Sequence, residues 1–204
     1  MNELKFIDYK ILVKNAILLH GSSCSPDSYW LPSIGRFLQK RGYHVWTPQL
    51  PNPVTPDVKI QLPFILKEGK FGQETIIVAH SSGCPLALSI LENISTKIGK
   101  AILVAGYARV LKNQKDTSLR KLEEDAEPIL QKTYDWKKIR GNARDIFFIN
   151  SDNDPWGCND EEGLYMFKHL GGMLIIRHGE GHMGSDMFGQ PYKEFPLLEK
   201  LLVL

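Results

Sequence analysis

Six short, mostly apolar runs punctuate the chain, and they restrict its fold more than any other feature. They occupy residues 16–19, 43–46, 75–79, 101–105, 145–149 and 173–176. A strand with one wet face alternates apolar and polar side chains. A run that is apolar throughout is buried on both faces, as in a parallel sheet covered by helices on either side. Parallel neighbours cannot be joined by a hairpin and need crossover segments. Helical spacing supplies them. Ile34, Phe37 and Leu38 mark a helix over 33–40 that Gly42 stops. Helices are also expected over 57–68, with Pro63 disturbing its first turns, and over 85–93, where Pro85 sits in a tolerated first-turn position. A closing helix spans 196–204. The expected class is α/β.

The 204 residues show no repeat, no Gly/Ser linker and no break in composition, so 1–204 reads as one domain. One stretch differs. Residues 107–136 are polar and charged, with a helix expected over 117–127 ended by Pro128, and they read as a small helical cap inserted after the fourth strand. Residues 4–14 precede the first strand without a readable pattern. Hydrophobic residues at 43% and charged residues at 24% are ordinary for a globular chain. Twenty-five basic against 23 acidic side chains leave +2, too balanced for a surface built to hold nucleic acid. No run approaches the ~18 apolar residues of a membrane span, and the N-terminus lacks the apolar stretch of a signal peptide. Cys24, Cys84 and Cys158 form no CxxC pair, which excludes a zinc ribbon and suits reduced thiols. A soluble, cytoplasmic protein is expected.

The third strand runs into Ala79-His80-Ser81-Ser82-Gly83 and then a helix. This is the nucleophile-elbow pattern G-x-S-x-G with Ala in its first position. Small residues are needed two places either side of the serine, because the turn brings neighbouring backbones close. The helix that follows aims its first N–H groups at a developing oxyanion. A serine hydroxyl needs a base, and the base needs an orienting carboxylate. In this architecture both follow the serine in chain order. The fifth strand ends in Ser151-Asp152-Asn153-Asp154-Pro155-Trp156, where two aspartates compete. Asp154, closing a turn before Pro155, is favoured, and Asp152 is the alternative, otherwise satisfying the turn backbone. The sixth strand ends in Arg177-His178-Gly179-Glu180-Gly181-His182. His182, in a Gly-His loop, is the expected base, and His178 is expected to be structural. The oxyanion donors are the backbone N–H groups of Ser82 and, from the loop after the first strand, Ser22. Tyr29, Trp30 and Trp156 are candidate pocket walls or packing aromatics.

Three other patterns fail on context. Residues 179–184 spell G-x-G-x-x-G but come too late to open a dinucleotide-binding unit. His178 and His182 lie four apart, yet the intervening glycines oppose the helix that a zinc H-E-x-x-H needs. Asp152-Asn153-Asp154 starts like a calcium loop, but Trp156 and Gly163 fall where ligands belong. No metal and no cofactor is expected.

Taken together, Leu19-His20-Gly21, Trp30-Leu31, the prolines from Pro48 to Pro53, His80-Ser81-Ser82-Gly83, the Ser151–Trp156 turn and Gly181-His182 are distinctive. The chain resembles the small α/β-hydrolases of the retinoblastoma-binding protein 9 type, a family of predicted serine hydrolases, from about residue 16 onward. Ala79 departs from the glycine usual there. The resemblance implies a three-layer α/β-hydrolase fold with about six strands in the order 2-1-3-4-5-6. It places nucleophile, acid and histidine on Ser81, Asp154 and His182. The expected chemistry is cleavage of small carboxylic esters or amides through an acyl-enzyme. The alternative is a protein-interaction module that keeps the fold and little catalysis. With that fold, all three cysteines fall at the active-site edge of the sheet, and one of them is a candidate for inhibitory alkylation.

Overall fold

The computed structural model describes residues 13–111 and 117–204. The expectations for residues 4–12 and for 112–116 within the 107–136 stretch lie outside the described residues. Six strands form one sheet: β1 (Asn15–Leu19), β2 (His44–Trp46), β3 (Ile76–His80), β4 (Ile98–Val104), β5 (Ala143–Ser151) and β6 (Met173–Arg177). The order is β2-β1-β3-β4-β5-β6 and every neighbouring pair is parallel. The α/β-hydrolase arrangement is therefore present.

The chain leaves β1 toward one edge of the sheet, returns past β1 to β3, and then advances steadily to β6. Right-handed crossovers in opposite directions put their helices on opposite faces. α1 (Leu31–Gln39) accordingly packs with α7 (Pro196–Val203) on one face. α3 (Gly83–Asn93) lies between α2 (Val58–Glu68) and α5 (Trp136–Gly141) on the other, with α6 (Asp160–Leu170) beside α5 over β5 and β6. α4 (Thr117–Ala126) and a single 3₁₀ turn at Glu127–Ile129 complete the described helices. All seven residues of β4 are buried, whereas the edge strand β6 leaves Met173 and Ile176 exposed.

Local chemistry explains the element ends. Asp57, Asp135 and Asn159 each cap a helix by accepting a backbone N–H, at 2.8, 2.9 and 3.1 Å. α2 continues through Pro63, whose ring removes one hydrogen bond to the preceding turn. Burial of Val58 and Ile65 holds the helix, and Gln61 Nε2 donates to the Pro51 carbonyl at 2.9 Å. α5 and α6 are not signalled by apolar spacing. Gly163 in the first turn of α6 argues against a helix in sequence, yet it is what lets α6 lie on β5. A Cβ at that position would stand 2.6 Å from Asn150 Oδ1. No helix among the described residues is long and apolar enough to cross a membrane.

Candidate active site

Ser81 follows β3 directly and holds φ at 53°, in the left-handed region that L-residues enter at a cost. Its N–H donates to the Val104 carbonyl at 3.0 Å, and its own carbonyl accepts from Cys84 N at 2.8 Å, so both sides of the turn are fastened. Gly83 is required by contact: a Cβ there would meet Leu19 O at 2.8 Å and His20 O at 2.9 Å. Ala79 carries no such restriction. It is an ordinary strand residue paired with Leu19 and Leu103, and the turn forms with its methyl in place.

The loop after β5 templates the loop after β6, residue by residue. Ser151 Oγ accepts from Glu180 N (3.0 Å), Asp152 Oδ1 from Gly179 N (2.9 Å) and Asn153 Oδ1 from Gly181 N (2.8 Å). Asp154 Oδ2 lies 2.7 Å from His182 Nδ1, and its Oδ1 accepts from Trp156 N at 2.8 Å. Two Asp–His pairs result. Asp154–His182 is buried. Asp152–His178, at 2.5 Å, stands in solvent with the His178 side chain 97% exposed. Of the two competing aspartates, Asp154 faces His182 out of solvent and Asp152 faces His178 in it.

The backbone of the His182 loop is held from three sides. His182 N donates to Gln190 Oε1 at 2.9 Å, His80 Nε2–H donates to the His182 carbonyl at 3.0 Å, and Trp30 Nε1–H donates to the Met183 carbonyl at 2.9 Å. Burial, with the neighbouring His182 adding to it, drives His80 down to about 3, so its ring is neutral and can serve as this donor. His80, Gln190 and the role of Trp30 were not legible beforehand. His80 occupies a variable place in the elbow pattern, and Gln190 reaches His182 only because the loop turns back through a Ser185–Gln190 bridge.

The loop after β1 is fixed by a second buried imidazole. His20 Nδ1–H donates to Gly21 O at 2.9 Å and Nε2 accepts from Leu50 N at 3.1 Å. Burial lowers its pKa, consistent with this neutral tautomer. Gly21 sits against the elbow: a Cβ would fall 2.9 Å from Ser81 Cβ. Among the described residues, the backbone N–H groups of Ser22 and Ser82 have no protein acceptor.

Ser81, His182, Ser22, Tyr29 and Trp156 line one cavity of about 330 Å³, at the small end of ligand sites. Ser82 is buried at the head of α3 rather than in the wall. Trp30, a candidate for pocket wall or packing aromatic, is a packing aromatic. It is fully buried, edge-on to His80 and Phe195 with ring centroids 5.6 and 5.7 Å away, because its indole N–H is engaged with the His182 loop. Cys24 and Cys158 line the cavity and Cys84 lies beneath it, 3.4 Å from the Ala79 carbonyl. Burial pushes the Cys24 thiol up, which disfavours its thiolate. Asp154, Cys158 and His182 bring ligand atoms within 4.8 Å of one another, but there the carboxylate and the imidazole already engage each other.

Comparison with known proteins identifies the family and the fold. YdeN of Bacillus subtilis (strain 168) is 30% identical over 175 residues, 80% of this chain and 87% of that protein. The serine hydrolase RBBP9 of Rattus norvegicus is 29% identical over 115 residues, 56% of each chain. The crystal structure of the ydeN gene product matches with a TM-score of 0.80 at 25% identity, covering 94% of this chain and 97% of that one. An esterase from Pyrococcus furiosus shares the fold at a TM-score of 0.62 and 16% identity, covering 93% and 81%. The serine hydrolase family model matches residues 16–202, so this chain, with its α/β-hydrolase sheet, belongs to the serine hydrolase family.

Proposed function

We propose that the chain is an esterase-type hydrolase that cleaves small carboxylic esters or amides through an acyl-enzyme on Ser81. One observation carries the reading. An alcohol at a left-handed turn and an imidazole whose Nδ1 is 2.7 Å from a buried carboxylate open into the same cavity. Ser81 Oγ attacks the substrate carbonyl carbon while its proton passes to His182 Nε2. Asp154 accepts the Nδ1–H and favours the imidazolium that forms. The oxyanion is held by the N–H groups of Ser22 and Ser82, a contribution of ~10²–10³ in rate per donor at comparable sites. Collapse breaks the ester or amide bond, and His182 returns the proton to the departing alcohol or amine. Water then attacks the acyl-enzyme carbonyl, giving a proton to His182; the Ser81 Oγ–acyl bond breaks, His182 returns that proton to Ser81 Oγ, and the acid leaves. These steps need no metal and no cofactor.

The 107–136 segment belongs to the reading as a small cap. Tyr107, Leu111, Ala126 and Leu130, all from this stretch, line the cavity. The test is turnover of p-nitrophenyl acetate by the wild type and by Ser81→Ala. The reading expects a fall in kcat on the order of 10⁴–10⁶. Equal turnover by the two proteins contradicts it.

A further inference from the structure

Among the described residues twelve large apolar side chains are exposed, and four of them surround one opening. Val54 (61% exposed), Val110 (47%), Leu122 (40%) and Met187 (58%) all line the cavity that holds Ser81 and His182. They come from four separate segments: the loop after β2, the connection after β4, helix α4 and the loop after β6. Phe188 extends the same surface, edge-on to the cavity residue Trp156 at 5.4 Å. Scattered exposed apolar residues are normal on a folded protein, but several that line one concave site mark a surface that is covered when the site is used. The charged groups among the described lining residues are Glu127 and Asp186, both carboxylates. An anionic ligand is disfavoured there, and a neutral one is not.

Building on the ester-hydrolase reading, we infer that the substrate is a neutral ester with a flexible hydrocarbon chain that runs from Ser81 across the cavity and out over this apolar rim. Acetate esters leave the rim uncovered. A longer chain covers it, and each methylene so buried strengthens binding of the transition state by about fourfold. Among the described residues these rim side chains are 40–61% exposed, so the gain continues past the volume of the enclosed space.

The experiment is kcat/KM along two ester series. One lengthens the acyl side, from p-nitrophenyl acetate through butyrate and hexanoate to octanoate. The other lengthens the alcohol side, from ethyl acetate to octyl acetate. The inference expects one series to climb by about fourfold per added methylene, and the climbing series tells which side of the ester lies on the rim. Val110→Ser and Leu122→Ser should each reduce the octanoate-to-acetate ratio, or its alcohol-series counterpart, several-fold. Met173→Ser, an exposed apolar change on β6 outside the cavity, should leave that ratio unchanged. Because the readout is a ratio within one protein sample, a partly misfolded variant does not imitate the effect. Flat or falling series with measurable turnover overturn the hydrocarbon-chain inference alone. Absence of turnover on every ester overturns the hydrolase reading, and the inference with it.

Discussion

Two aspartates two residues apart serve two histidines four residues apart, and solvent separates their roles. Asp152 and His178 meet at the surface, where an ion pair is screened and contributes little. Asp154 and His182 meet out of water, where the carboxylate fixes both tautomer and ring orientation. Asp154→Asn is therefore expected to lower kcat by ~10⁴, whereas Asp152→Asn and His178→Ala should stay within a few-fold of wild type. Steady-state kinetics on p-nitrophenyl acetate separates the cases, and a large loss in His178→Ala would reverse the assignment of the pairs. At this scale the sequence was partly legible. Ser81 and Gly83 announce themselves, because a strand, a small-residue turn and a helix must follow one another to make that turn. The choice between Asp152 and Asp154 did not, since it depends on how Ser151 and Asn153 anchor a loop 26 to 29 residues away. Trp30, open in sequence between pocket wall and packing aromatic, packs for a similar reason: its indole N–H serves a carbonyl 153 residues distant.

Individual elements were legible where their apolar pattern was continuous. Of the runs at 75–79 and 101–105, residues 76–79 and 101–104 are buried strand. α6 was not legible, because its polar first turn and Gly163 disguise it, and contact with Asn150 is what demands the glycine. Asn150 Nδ2 donates to Gly106 O at 3.0 Å and Cys158 O at 2.9 Å, joining the ends of β4 and β5 to the loop that enters α6. Gly163→Ala raises helix propensity but forces a methyl into that side chain. It should destabilise the fold by about 1–3 kcal/mol, as overpacked cores do, read as a lower urea midpoint. A stabilised protein would show that α6 can shift freely. The connection after β4 has its own fastening. Arg109 Nε and Nη2 both bond the Glu162 carboxylate of α6 at 2.9 Å, and the guanidinium lies 4.3 Å from the Tyr165 ring centroid. Arg109→Ala should cost about 1–3 kcal/mol, the value of hydrogen bonds to a poorly exposed charge.

The molecule as a whole carries two buried neutral imidazoles beside its candidate site, and they make it sensitive to acid. An unfolded histidine takes its proton near 6.5, whereas His80 in the fold resists until about 3 and His20 is shifted in the same direction. Between those values the unfolded chain binds more protons. Stability is therefore intact above about 6.5 and falls as pH drops, by up to about 1.4 kcal/mol per pH unit for His80. Urea midpoints measured from about pH 7 to about pH 5 should decline, and the decline should be shallower in His80→Gln whatever that variant's absolute stability. An identical slope would show that His80 protonates freely in the fold. The same burial keeps His80 a donor to the His182 carbonyl over the working range, tying stability to the geometry of the site. That geometry is tested most directly by treating the protein with a fluorophosphonate and mapping the adduct by peptide mass. The account predicts a single covalent adduct on Ser81, lost in Ser81→Ala and slowed in His182→Ala. An adduct on another residue, or undiminished labelling of Ser81→Ala, would contradict it.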